Sequence, residues 1–234
     1  MPSARFLRFA AVCALLTTLT TLAIHLLPPL WASADTFEEQ LALRHNSIYL
    51  ARLWVVIVHC ILVVISMYAV GVLRARRHTT LMALGFVGFV VFAVAELLRT
   101  SLAIFALNRR WREEYASTTD DVKKDALRAA VEAFPGFGSA LFFVFAIAFQ
   151  LALFCYGFAL VGGQGMDRLL GGVFLLWVLL SLPGMVDTIA GSQGASRYFE
   201  WVGPYFQPLA RALAGVWLWK QAKSRAFSGT RNWQ

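Results

Sequence analysis

The chain has 234 residues, 59% of them hydrophobic and 15% charged, with a formal net charge of +8. A soluble domain of this size carries nearer a quarter charged residues, so an ordinary soluble fold is excluded. No linker, low-complexity stretch or solenoid-period repeat divides the chain, which reads as one unit over residues 1–234.

Six apolar runs follow one another: Phe6–Leu30, Ile48–Leu73, Thr80–Leu107, Phe137–Val161, Leu169–Ala190 and Gly203–Trp219. Each is long enough to cross about 30 Å of hydrocarbon at about 1.5 Å rise per residue. The expected fold is therefore all-α, a polytopic membrane bundle of six transmembrane helices. Arg5 and Arg8 precede the first run, and Ala32-Ser33-Ala34 after it resembles a signal-peptidase site. The run is longer than a signal core, so a retained span is expected.

The connections alternate in character. After the first run, Thr36-Phe37-Glu38-Glu39 fits a capping box, which starts a short helix with Phe37 and Leu41 on one face. Arg74-Ala75-Arg76-Arg77-His78 is a tight turn that makes a hairpin of runs two and three. The longer connection Asn108–Pro135 opens on an arginine-rich helix end. Its later part, near Thr119–Phe134, places Val122, Ala126, Ala130 and Ala133 or Phe134 at helical spacing. That is the pattern of an amphipathic helix lying on the interface or capping the bundle, or of a solvated connector. Phe134-Pro135-Gly136 is expected to break it before run four. Gly162-Gly163-Gln164-Gly165 joins runs four and five; it lacks the lysine of a P-loop, follows no strand, and reads as a turn.

Charge orients the bundle. With the N-terminus inside, the inner segments hold Arg5, Arg8, Arg74, Arg76, Arg77, Arg168, Lys220, Lys223, Arg225 and Arg231 against Asp167 alone. The outer segments hold eight basic residues and ten acids. This positive-inside pattern places both termini in the cytoplasm and accounts for the net charge without nucleic acid. Trp31, Tyr49, Trp54, Trp111, Tyr198 and Trp201 mark the outer interface, and Trp217 and Trp219 the inner one. Cys13, Cys60 and Cys155 all fall in apolar runs, an odd set that reads as small buried hydrophobes. Gly85 and Gly88, Ala148 and Ala152, and Ala210 and Ala214 are small faces for close helix packing.

The informative deviations are polar groups inside the runs. A charge at mid-bilayer costs at least about 2.5–3.5 kcal/mol, so it faces the bundle interior and takes a partner. Glu96 and Arg99 stand at i,i+3 spacing and pair locally. His59 and Glu96 each lie about eleven residues from the outer ends of their spans, at similar depth, and can touch where spans two and three pack as a hairpin. Asp187 follows the Pro183-Gly184 kink, and Arg211 follows Pro208 by three residues. His59, Glu96, Arg99, Asp187 and Arg211 thus form a candidate ligand- or ion-binding cluster in the outer half; Gln150 is a further polar residue, mid-way along run four. The same cluster also fits salt bridges that only fix helix register.

No HExxH, CxxC or G-x-S-x-G is present, and His25, His45, His59 and His78 stand at unmatched depths. No catalytic residue, metal site or cofactor is expected.

Arg52-Leu53 opens run two, a basic turn follows Leu73, and Arg168-Leu169-Leu170-Gly171 opens run five. Trp217-Leu218-Trp219-Lys220 closes the last run. In these features and their order the chain resembles a bacterial family of multi-span proteins, domain-of-unknown-function family 4386. The resemblance implies a multi-span helical fold and no activity; Arg211 within the last run departs from the family pattern.

The first functional expectation is a multi-pass protein of the bacterial inner membrane with no reaction signature. It would be a non-enzymatic component or subunit whose partners are the lipid bilayer and a membrane protein or a second copy of itself. The alternative is a small transporter or channel using the charged cluster, and the third an intramembrane enzyme or redox protein.

Overall fold

A computed structural model of the chain describes residues 2–28, 34–190 and 196–230, with side chains at 188, 189, 196–200 and 227–230 outside the description. Trp31, Arg231, residues 29–30 of the first expected span, most of Ala32-Ser33-Ala34 and the side chain of Tyr198 lie outside the described residues.

The described residues form helices and no strand. They are α1 (Ala4–Leu26), α2 (Phe37–Ala42), α3 (Ser47–Arg74), α4 (Thr79–Ser101), α5 (Glu113–Ser117), α6 (Asp121–Val161), α7 (Met166–Ala190) and α8 (Ser196–Thr230). Five stretches are long and apolar enough to cross a membrane: Ala4–Leu26, Ser47–Arg74, Thr79–Ser117, Asp121–Val161 and Met166–Asp187. α8, the sixth expected span, is not among them, because Gln207, Arg211 and Lys220 interrupt its apolar sequence.

The long helices close a ring in chain order. α1 packs on α3, α3 on α4, α4 on α6, α6 on α7, α7 on α8, and α8 back on α1. α1 and α8 run antiparallel over their length: Arg225 Nη1 donates to the Pro2 carbonyl at one end, and His25 meets Gln207 at the other. The outward faces carry exposed Leu19, Val94, Leu179 and Val186, as lipid contact requires.

One end of the ring is filled solid. The Tyr156 hydroxyl donates to the Met67 carbonyl at 3.0 Å, and its ring occupies the space over Gly71 and Gly85. A Cβ on Gly88 would meet the Ala148 carbonyl at 2.7 Å and the Ala152 methyl at 3.0 Å, so the small faces of α4 and α6 do pack together. The tight turns sit at this end. Gly165 takes a left-handed φ of 54° in the turn before α7. Asp167 accepts both from Arg74 Nη2 and from Trp217 Nε1, tying α3, α7 and α8 together. Trp217 is therefore fully buried, not the interface anchor its position suggested.

The other end departs from expectation at two places. The helix of run three does not stop at Leu107: it continues as a π-helical stretch, Leu102–Arg112, into α5. The wider winding is held by side chains. Asn108 Nδ2 donates to the Ala103 carbonyl at 2.5 Å, and Arg112 Nη1 to Asn108 Oδ1 at 2.6 Å. Nor does Pro135 break the chain. α6 runs through it as one helix, so no separate amphipathic helix lies over Thr119–Phe134. Proline removes one helix hydrogen bond, but the turns before it are anchored elsewhere. Asp120 caps the N-terminus by accepting from the Val122 and Lys123 amides. Val131 and Phe134 pack on Phe37, Leu41, Leu107 and Trp111. This small apolar cap uses Val131, whereas Val122, placed by its helical spacing on the apolar stripe, is exposed. The Thr36/Glu39 capping box that starts α2 is formed in both directions.

Candidate functional site

The ring is not filled at its long-connection end. A cavity of about 520 Å³ lies there, bounded by all six long helices, within the range of small-molecule sites.

α6 supplies an aromatic wall. Phe142, Phe145 and Phe149 stand at i, i+3 and i+7, so they share one face, and Phe92 of α4 packs against Phe145 and Phe149 at 4.7 and 5.1 Å. Trp177 of α7 meets Phe149 edge-on at 5.2 Å.

Set into this apolar wall are three guanidinium groups, Arg52, Arg99 and Arg211, against one lining carboxylate, Glu96. Glu96 and Arg99 form the expected i,i+3 pair, and it is two-pronged: Nη2 to Oε1 at 2.5 Å and Nε to Oε2 at 2.8 Å. Arg52 Nε donates to the Ile24 carbonyl at the end of α1. Arg211 is different. It is 5% exposed and lies over Trp177 and Phe149, with its carbon 5.2 and 5.5 Å from their ring centroids. It makes no hydrogen bond or ion pair among the described residues, and its buried Nε has no acceptor.

His59 and Glu96 both line the cavity but do not bond to each other. His59 Nδ1 meets Thr20 Oγ1 at 2.8 Å. The Thr20 hydroxyl also lies within reach of the Leu16 and Thr17 carbonyls, both at 3.2 Å, so the contact ties the imidazole to α1. Thr20 itself does not line the cavity, and its contact positions His59, which does. Asp187 is buried outside the cavity lining. Of the five residues singled out by sequence, His59, Glu96, Arg99 and Arg211 thus line one cavity, and Asp187 is buried without lining it.

The cavity also holds residues the sequence did not single out together. His25 lines it beside Gln207, although its depth along α1 suggested no match with His59. Gln150 Nε2 donates to the Ser181 hydroxyl, which itself donates to the Trp177 carbonyl at 2.7 Å. That chain of donors fixes the amide orientation and leaves Gln150 Oε1, buried, without a donor. Among the described residues no three of His, Cys, Asp and Glu converge as a metal site would require. The donor set therefore suits an anion better than a cation. No protein-family model matches the chain, and no curated protein or solved structure is detectably similar to it.

Proposed function

We propose that this chain is a six-span protein of the bacterial inner membrane that binds a small anionic ligand inside its bundle. It serves as a carrier, or as the ligand-binding component of a larger membrane assembly, and not as a catalyst. The observation that carries this reading is Arg211, a buried cation lining a cavity and bonded to no anion among the described residues. Removing an ion from water costs several kcal/mol, which a partner must offset. A cation left open in this way is the counterpart of a missing negative charge. In membranes such residues face cavities and mark ligand pathways.

α8 supports the sixth span. It lies antiparallel to α1 from Gln207 to Arg225, and Arg211, within that stretch, lines the cavity. The end that carries Arg74, Asp167 and Arg225 is the one rich in basic residues, which supports cytoplasmic termini. The lack of any match leaves the likeness to family 4386 as part of this proposal, with its fold expectation only.

The test is ligand-dependent stability of the full chain in lipid nanodiscs, with decanoate against methyl decanoate. The acid should raise the melting temperature saturably and the ester should not. Arg211→Met should stay folded and lose the response. Equal responses to acid and ester, or a response kept in Arg211→Met, would overturn the proposal.

A further inference from the structure

Arg211 is not the only orphan in the cavity. Gln150 Oε1, one bonded network away, is a buried acceptor with no donor. The two are connected through Trp177: its ring underlies the Arg211 guanidinium, and its carbonyl receives the Ser181 hydroxyl that holds the Gln150 amide. A buried acceptor without a donor is destabilising until a ligand supplies one. The same cavity thus presents a charged donor and a neutral acceptor, both unfilled, beside an aromatic wall.

We infer that the ligand is an amphiphile carrying a single anionic head, a hydroxyl or amine donor close to that head, and an apolar body. The inference rests on the anion-binding reading above and adds the second polar group. Each part has its place. The carboxylate accepts from the Arg211 guanidinium, including Nε, beside the Trp177 and Phe149 rings that lie 5.2 and 5.5 Å from its carbon. The hydroxyl or amine hydrogen donates to Gln150 Oε1. The body lies against Phe92, Phe142 and Phe145, whose rings present a continuous apolar surface. The single charge of the head is matched to Arg211. Arg99 is already neutralised by Glu96, and the Arg52 side chain is tied to the Ile24 carbonyl at the end of α1. A strongly hydrated dianion would have to be stripped of water against phenyl rings. Free acids and lipid-derived acids share this chemistry; they differ in whether the body ends in the cavity or continues into the bilayer.

The experiment compares β-hydroxydecanoate with decanoate by equilibrium binding to the full chain in nanodiscs, in wild type and in Gln150→Leu, with a β-hydroxy acid of twice that length as the lipid-like arm. One hydrogen bond to an otherwise unfilled acceptor is worth about 1–1.5 kcal/mol, so the hydroxy acid should bind about 5–10-fold tighter in wild type. The preference should vanish in Gln150→Leu, whose folding is checked by its melting temperature without ligand. A preference for the longer acid assigns a lipid source, and a preference for the shorter one a free metabolite. Equal affinities in wild type, or a preference that survives in Gln150→Leu, would overturn the second polar contact and leave anion binding standing. If neither acid binds, both readings fall together.

Discussion

Arg211 places its guanidinium 5.2 Å from the ring centroid of Trp177, where the electron-rich face takes the role that water or a carboxylate would otherwise fill. A desolvated cation–π contact is worth about 2 kcal/mol, whereas burying an ion costs several. The ring lowers the cost of keeping Arg211 in the bundle without cancelling it, so the unliganded protein holds a destabilised site.

The first prediction follows from that imbalance. Arg211→Met keeps the length of the side chain and removes the charge, and it should stabilise the empty protein. For a gain of about 1–2 kcal/mol the melting temperature in detergent rises by about 2–8 °C. Anion binding is lost at the same time. A variant that melts below wild type would show that Arg211 is satisfied where it stands.

Glu96 should behave oppositely. It is buried and accepts both prongs of Arg99. Glu96→Gln leaves one acceptor and no charge, which strands Arg99 and costs about 1–3 kcal/mol. It also adds a second uncompensated cation to the cavity, so decanoate should bind severalfold tighter while the unliganded melting temperature falls. A structural ion pair with no cavity role would give the fall without the tighter binding.

The capping box of α2 carries a pH signature outside the membrane. The Thr36 amide, then its hydroxyl, hold the Glu39 carboxyl below the ordinary glutamate value. A depressed folded pKa gives stability present above the unfolded value and lost as pH falls through the folded one. Acidification below the ordinary glutamate range should therefore loosen residues 35–41, read as faster amide exchange at Glu39 relative to α3. Glu39→Ala should show the loosened exchange at neutral pH with no further response to acid.

Glu96, Arg99 and Arg211 were legible because ions are expensive in lipid and stand out in any apolar run, whereas Arg52, near the start of run two, was not read as part of the site. The cavity itself was not. It is a shortage of side-chain volume summed over six helices, and no one run records it. Phe142, Phe145 and Phe149 are lost among the other aromatics of α6 until Phe92 is set against them. The two helix boundaries misjudged from sequence have local signals that tertiary packing overrode. Pro135 continues because Val131 and Phe134 are held by the cap, and Leu107 continues because Asn108 and Arg112 sustain the π winding. Asp187 read as part of the cluster because depth was legible and rotation about the helix axis was not.

The last prediction concerns the solid end of the ring, which gives the cavity its floor. A Cβ on Gly85 would come within 2.7 Å of Tyr156 Cε1 and 3.1 Å of the Cys155 Cβ, and Tyr156 cannot retreat without giving up the Met67 carbonyl. Alanine in place of glycine favours a helix by up to about 1 kcal/mol, but overpacking costs about 1–3 kcal/mol, so the clash wins. Gly138 on α6 meets nothing within 4 Å, and there the helix preference acts alone. Gly85→Ala should lower the melting temperature and Gly138→Ala should raise it slightly. Because Tyr156 and Phe89 pack edge-on at 5.2 Å, and Phe89 meets Phe149 at 6.0 Å, the displacement at Gly85 should reach the aromatic wall and weaken decanoate binding as well. Opposite signs in stability, with binding changed only in Gly85→Ala, are the result that ties the floor to the site.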